Sequence, residues 1–568
     1  MGRISNASGR LDRLADRLAV LAALRARPAS GFAVQPEPRS VGSVTRGERL
    51  VAGEVFLAGH LVAAPGVPLW DIAAPDADFS AAAQGFGWLD DLAALGTKPA
   101  RRQAQDWTWH WIARHGAGQG AGWTPELTGR RILRWLHHAA LLLAGRDRAQ
   151  AGGFYRALSR QAAYLARRWK AAPAGLPRIE ALVGLVHAGV LLAGMQRLIG
   201  PATAALAAAC EAEIDAEGGI ASRNPEELSE LLTLLAWTAG VLTEGAHPVP
   251  AALSAAIRRI APTLRVLRHA DGGLARFHGG GAGAEGRLDQ ALALAGVRAG
   301  ASAPIAMGFA RLSGRRTTVI VDASAPPGGR AARRAHASTA AFELTSGRRP
   351  VVVSCGAGEA FGPAWRQAAR ATQSHSVLAM EGASSSRLGA GEDLAERAVV
   401  TACRITPGLE GTDLYLAHDG WLASHGLTAS RSLTLSHDGR RLSGVDSLTA
   451  LTHEARRRFE ELMTATAMTG AGFAIRFHLH PEVEAELDLA EAAVTLHLRS
   501  GEVWIFRFTG PVALGLEPSA YLEAGRSQPW PCAQIVLHGN ARGFETRIGW
   551  TLAKAKDTPL AIRDLDGA

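Results

Sequence analysis

The stretches RTTVIVDA (residues 316–323) and TAAFELTSGRRPVVVSCG (residues 339–356) fix the character of the second half of this chain. Both are short, rich in β-branched and aromatic residues, and bounded by Gly, Pro and Ser, which is how half-buried strands read. The Thr345-Ser346-Gly347-Arg348-Arg349 turn puts glycine where a hairpin needs a positive φ. The same grammar recurs in HSVLAMEG (375–382), SRSLTLSHDGRRLSGVDSL (430–448), FAIRFHLHP (473–481), AAVTLHLRSGEVWIFRFTG (492–510) and QPWPCAQIVLHG (528–539). Eight or more such strands after Pro304 imply an antiparallel β-sandwich.

Upstream of Pro304 the period changes from two to 3.6. FGWLDDLAAL (86–95), QDWTWHWIARH (105–115), LTGRRILRWLHHAALLLAG (127–145), FYRALSRQAAYLARRW (154–169), IEALVGLVHAGVLLAGMQRLIG (179–200), ATAALAAACEAEI (202–214), PEELSELLTLLAWTAGVL (225–242) and AALSAAIRRIAPTLRVL (251–267) repeat apolar residues at helical spacing. Gly, Pro and Asn punctuate the breaks. Consecutive helices with short loops pack as antiparallel hairpins, in a bundle, a solenoid or a toroid. The expected domains are a lead-in at 1–75, a helical domain at 76–303 and a β-domain at 304–568.

A chain of 568 residues is too long for one core. Hydrophobic residues at 47% and charged residues at 20% are ordinary globular values and exclude wholesale disorder. The net charge of +9 is carried largely by arginine, which suits carboxylate or sulfate partners, although a GC-rich genome also raises arginine. Cys210, Cys355, Cys403 and Cys532 form neither a disulfide framework nor a zinc ribbon. No apolar run is long enough for a membrane span. The apolar piece at 18–24 carries Asp12 and Asp16 beside it and reads as an amphipathic helix rather than an export signal.

Several motifs resemble heparinase II/III-like proteins over roughly residues 70–555. GWTPELTGRRILRWLHHAALL (122–142) resembles their N-terminal turn and Arg-rich helix. DAEGGIASRNPEELSELLTLL (215–235) is similar to their toroid segment, in which an Asn opens a helix. AHASTAAFELTSGRRPVVVSCG (335–356) with WRQAARATQSHSVLAMEG (365–382) resembles the start of their C-terminal domain. The resemblance implies an N-terminal (α/α) toroid, a C-terminal β-sandwich, and β-eliminative cleavage of uronate-containing polysaccharides such as glycosaminoglycans. It also implies a cell-envelope or periplasmic setting. The absence of a visible export signal leaves a cytoplasmic one open.

β-Elimination requires neutralisation of the C5 carboxylate substituent, a base for the C5 proton and an acid for the departing O4. By this resemblance Asn224 neutralises the carboxylate; as Asn-Pro-Glu-Glu it is equally a helix N-cap. His336 matches the second His of the family's loop, a metal-ligand position. Arg334 stands where the family has its catalytic His and is a very poor base. Either His336 has become the base, or the base lies elsewhere, or proton abstraction is lost. His375 matches a second zinc-ligand position and Ser354 replaces the zinc Asp, so zinc is disfavoured and no cofactor is expected. No tyrosine follows Asn224 at the toroid position; His269, Asp271 and His278 stand there instead.

Arg131 and Trp135 share a helix face and, as an arginine beside an aromatic, form a candidate sugar-acid subsite, with Arg178, Arg370 and His278 as further substrate contacts. Arg366 adjoins the same R-x-T-x-x-H stretch as Arg370. His478 and His480 share a strand face without a third ligand. The run FHGGGAGAEG lacks a P-loop lysine, and EGASSSRLG is not a nucleophile elbow. The expected partner is an acidic polysaccharide or oligosaccharide rather than nucleic acid, the arginines being dispersed. Oligomeric state is not encoded in any of these patterns. A lyase is the first reading and an altered, non-catalytic saccharide-binding protein the second. A toroid glycoside hydrolase would need two facing carboxylates, for which Glu226, Glu227 and Asp271 are the candidates.

Overall fold

A computed structural model describes residues 14–298, 303–389 and 393–555. Helices dominate up to Arg287–Ala295, and antiparallel strands dominate from Ile305–Ala306 onward. The chain packs as two compact units: Met1–Ala216 with Ser229–Ala261 and Gly286–Arg298, and Glu217–Leu228 with Pro262–Glu285 and Ala299–Ala568.

In the helical unit, local sequence sets most helix starts. Thr97 accepts the Ala100 N–H ahead of Lys98–His115, and Asp147 with Gln150 forms a capping box before Arg148–Arg168. Pro125 opens Pro125–His137, where its missing N–H costs no helical bond. The single helix expected over 127–145 is two, Pro125–His137 and Ala139–Leu143. His138, at their junction, bonds Asp90 at 2.8 Å. The lead-in expected before residue 80 contains a helix, Val44–Val51, and a hairpin, Glu54–Leu57 with His60–Ala63.

An aromatic core of Phe86, Trp88, Trp111, Trp135 and Phe154 fills this unit, with neighbouring rings at 4.7–6.0 Å in mostly edge-on arrangements. Helices Pro125–His137 and Leu176–Leu191 approach at two glycines. A Cβ on Gly129 would lie 2.4 Å from the Glu180 carbonyl oxygen, and one on Gly184 would lie 2.7 Å from the Gly129 Cα. Only backbone opposes these positions, so no side chain can swing away. Gly184→Val is expected to destabilise the protein by about 2–3 kcal/mol through overpacking. An unchanged urea midpoint would remove glycine contact as the reason for this packing.

Besides a two-stranded ribbon, Arg387–Leu388 with Leu394–Glu396, the β-rich unit contains two large antiparallel sheets. One runs Val400–Pro407, Gly411–Trp421, Leu427–Ser436, Arg441–Thr449, Glu545–Lys554, Val503–Thr509, Ala493–His497, Glu484–Leu487 in spatial order. The other runs Val512–Tyr521, Trp530–Ala541, Ala471–Leu479, Arg349–Val353, Phe342–Ser346, Thr317–Asp322, Phe309–Gly314, Ile305–Ala306. Phe342 and Phe477 of the second sheet meet Trp550 and Phe506 of the first, with ring centroids 4.8–5.6 Å apart. These rings form the sandwich core.

Candidate functional site

The family-like motifs of residues 217–228 and 262–285 fold with the β-rich unit, and they bring Asn224 beside His278. Both ends of the Asn224 carboxamide are engaged by protein. Its Oδ1 accepts the N–H groups of Glu226 and Glu227 at 2.9 and 3.1 Å, as an N-cap does. Its Nδ2 donates to the His278 carbonyl at 3.3 Å. Gly280 is required here, since a Cβ would sit 2.5 Å from that Oδ1.

Arg223 and Asp322 form the centre of the site. Arg223 has φ of +51°, an uncommon conformation for a non-glycine residue. Its guanidinium donates to Asp322 Oδ1 at 2.6 Å and to the carbonyls of Met307, Gly308 and Ala325. Asp322 also accepts the Ser338 hydroxyl at 2.6 Å and lies 3.3 Å from His278 Nε2. Burial opposes charge on Asp322, but the Arg223 guanidinium and the His278 and Ser338 hydrogen bonds outweigh it and hold the carboxyl well below the usual range.

His278 has no nitrogen to offer as a base. Its Nδ1 accepts the His336 backbone N–H at 3.2 Å, and its Nε2 lies 3.3 Å from both Asp322 Oδ2 and Arg223 Nη1. The expectation of His278 as a substrate contact is corrected by this arrangement, with the side chain 1% exposed. His336 is the reverse case. It too is 1% exposed, yet neither ring nitrogen has a partner. Burial, followed by the nearby His375 and His278, pushes its pKa well down and keeps it neutral.

His375 faces His336 with ring centroids 5.3 Å apart. Its Nδ1 bonds Ser354 Oγ at 3.0 Å, and its Nε2 is unpartnered. The structure thus places together the two imidazoles and the hydroxyl singled out in the sequence. Among the described residues no three His, Cys, Asp or Glu side chains gather as a metal set. Two imidazoles and a serine do not fit a zinc site.

Arg334 is exposed and ends the short Gly329–Arg333 helical turn. Arg370 is buried and donates to the carbonyls of Ala332 and Ala335, which fixes the turn carrying His336. In the helical unit the proposed subsite of Arg131 and Trp135 is not a surface. Both are 0% exposed. Arg131 donates to Gln161 and to the carbonyls of Gln84 and Gly122, and stacks over Trp111 at 4.2 Å. Without a carboxylate partner, burial lowers its pKa to about 9. Arg178 donates to the Ala172 and Lys170 carbonyls. The charge pattern in the sequence read these arginines as ligands; the structure uses them to satisfy buried carbonyls.

Sequence reasoning missed Arg223 and Asp322. The signals were present: an arginine directly before the helix-capping asparagine, and one acid closing the apolar run TTVIVD.

A helical toroid followed by a β-sandwich defines a polysaccharide lyase-type scaffold. Residues 298–551 match the family described as heparinase II/III-like, C-terminal. The chain belongs to the heparinase II/III-like family. It is 31% identical over 547 residues to FtsZ-localized protein C of Caulobacter vibrioides, covering 93% of this chain and 91% of that one. The fold is similar to a crystal structure of heparinase III, with a TM-score of 0.66 at 11% identity, covering 97% of this chain and 90% of that one. It is also similar to heparan sulfate lyase HepC from Pedobacter heparinus, with a TM-score of 0.55 at 13% identity and the same coverage. Among the described residues no helix is long and apolar enough to cross a membrane.

Proposed function

We propose that this chain is a catalytically altered member of the family, which binds acidic saccharide on a lyase-type scaffold without carrying out β-elimination. The observation behind this reading is the internal use of the groups that would have to meet a substrate. The Asn224 amide caps a helix and holds a loop carbonyl, and His278 has both nitrogens engaged. Arg334 replaces the family's base with a group that stays charged at neutral pH. No tyrosine lies in residues 262–285 to protonate a leaving group.

The relative's name adds a setting. FtsZ-localized protein C is described by its position with FtsZ, and this chain matches it along nearly its full length. We infer the same location here, in place of the cell envelope that family resemblance alone implied. A fluorescent fusion of the full chain should co-localise with FtsZ; a uniform envelope signal would count against it.

One observation favours a second reading. His336 is a neutral imidazole with neither ring nitrogen partnered, so one nitrogen can accept a proton, but at 1% exposed the ring must first be uncovered to reach a substrate. In that reading His336 removes the C5 proton and the enzyme remains a lyase. Incubation with heparan sulfate and with other uronate polymers separates the two, because elimination creates an ultraviolet-absorbing unsaturated uronate. The expected result is no absorbance increase together with retained binding to the polymer. Product formation that His336→Ala abolishes would establish the lyase and overturn the altered-scaffold reading.

A further inference from the structure

Gly-Arg-Arg occurs three times in the β-rich unit, at residues 314–316, 347–349 and 439–441. Each copy turns a hairpin: Phe309–Gly314 into Thr317–Asp322, Phe342–Ser346 into Arg349–Val353, and Leu427–Ser436 into Arg441–Thr449. Separated in sequence, the three turns meet in the fold. The Gly347 N–H donates to the Arg316 carbonyl at 2.7 Å, and the Thr317 hydroxyl donates to the Gly439 carbonyl at 2.6 Å. Gly439 permits the closest approach, because a Cβ there would lie 2.0 Å from the Gly314 carbonyl oxygen.

Arg315, Arg316, Arg348 and Arg441 are exposed at these tips. Glu482 ties Arg499 to them, lying 3.6 Å from Arg349 and 2.9 Å from Arg499, and Glu502 ties in Lys554 at 3.3 Å while accepting the Ser346 hydroxyl. Glu410 holds Arg441 at 2.8 Å, Asp438 accepts the Arg440 N–H at 2.9 Å, and Asp413 adjoins Gly408. Among the described residues, the eight cations of this end thus face five carboxylates, and positive charge exceeds negative by three.

The opposite sign is concentrated on the hairpin of Glu484–Leu487 and Ala493–His497, whose first strand is the free edge of its sheet. Glu484, Glu486, Asp488 and Glu491 are exposed on it, and among the described residues none of them pairs with an arginine or lysine. Strand Ala493–His497 leads from this acidic turn back to Arg499, so the acidic tip and the arginine tips stand at opposite ends of the strands. One molecule cannot join them; a neighbour can. Each end also carries a bare leucine. Leu409, in the turn that holds Glu410, is 101% exposed, and Leu489, in the acidic turn, is 107% exposed, more than any other large apolar side chain described. An apolar side chain rimmed by charge is the layout of a protein interface.

We propose that the arginine tips dock the acidic hairpin of a second copy of this chain, so that copies associate head to tail. The two surfaces differ, so the contact is heterologous and repeats from copy to copy unless the rotation closes a ring. Complementary charge sets the pairing and its orientation.

Sedimentation velocity of the full chain tests this, over a range of concentrations in about 0.05 M and about 1 M salt. Larger species should grow with concentration at low salt and disappear at high salt, where the Debye length falls to about 3 Å. Two charge-reversed variants identify the surfaces: Arg315→Glu with Arg441→Glu, and Glu486→Arg with Glu491→Arg. All four positions are exposed, so both variants should melt as the wild type does. Each variant alone should stay monomeric, having lost the charge of one surface. An equimolar mixture should form a one-to-one pair, because the intact tips of one variant meet the intact hairpin of the other. A wild type that stays monomeric throughout, a variant that associates alone, or a mixture that does not pair would overturn the proposal. So would a monomeric wild type that binds phosphatidylglycerol vesicles or duplex DNA and loses this in the arginine variant, since the tips then serve a different anion.

Discussion

Acidification from pH 7 to pH 5 is expected to lower the stability of this protein by several kcal/mol, with the β-rich unit losing more than the helical one. Several histidines, His336 among them, are sealed in the fold as neutral imidazoles, and four others show the size of the effect. Burial lowers His187 and His375 to about 3 and His418 and His478 to about 4, from an ordinary 6.5. Each is at most 3% exposed. The unfolded chain takes up protons as the pH falls through 6.5, while the folded chain does not until it reaches 3–4. Stability is therefore complete above the unfolded value and declines below it. At pH 5 each such histidine costs about 2 kcal/mol relative to neutral pH.

Three of the four, His375, His418 and His478, lie in the β-rich unit. Their combined effect is comparable with the whole stability of an ordinary domain, about 5–15 kcal/mol. Native hydrogen bonds show why the rings do not simply protonate in place. His478 Nε2 donates to the Gln373 carbonyl at 2.9 Å, and its Nδ1 sits 2.8 Å from Ser519 Oγ and 3.5 Å from Cys355 Sγ. A second proton on Nδ1 would have to displace the hydroxyl or thiol hydrogen donated to it. Urea unfolding at both pH values, read by near-ultraviolet circular dichroism, checks this. Equal midpoints at pH 7 and pH 5 would mean that these rings are not held neutral by the fold.

What the sequence made legible was periodic. The change from period 3.6 to period 2 near Pro304 located the change from helix to sheet, because both signals depend only on neighbours along the chain. Asn224 was legible for the same reason: Asn-Pro-Glu-Glu starts a helix in any context, and its Oδ1 caps one here. The role of Arg131 was not. An arginine beside a tryptophan at i, i+4 has the same pattern whether the helix face meets solvent or core, and Gln161, Gln84 and Gly122 decide which. Asp322 was invisible because its partners are Arg223, 99 residues away, and His278, on a different loop. The compact units themselves draw on separated segments, with residues 217–228 and 262–285 joining the β-strands. Local pattern has no access to that pairing.

Arg431 shows the energetic weight such non-local contacts carry. It lies in the core of the β-rich unit, 1% exposed, and forms a two-pronged pair with Asp446 at 2.7 and 3.0 Å. Its remaining nitrogen donates to the carbonyls of Ala340 and Ser376 at 2.9 and 2.8 Å, and Trp550 Nε1 donates to Asp446 at 2.8 Å. Arg431→Ala removes the positive partner from a buried carboxylate and one donor each from the Ala340 and Ser376 carbonyls. The expected loss is about 3–5 kcal/mol. Removing both charges is a different case. In the double variant Arg431→Met, Asp446→Leu no isolated ion remains, and the neighbouring rings of Phe342 and Trp550 accept apolar replacements. The double variant should therefore recover more than half of what the single one loses, since a buried pair is often no more stabilising than apolar residues of similar size. Urea midpoints of the wild type and both variants decide it. A single variant within about 0.5 kcal/mol of wild type, the usual range for an innocuous surface change, would show that Asp446 reaches water or another cation. A double variant worse than the single one would place the stabilisation in the ion pair itself.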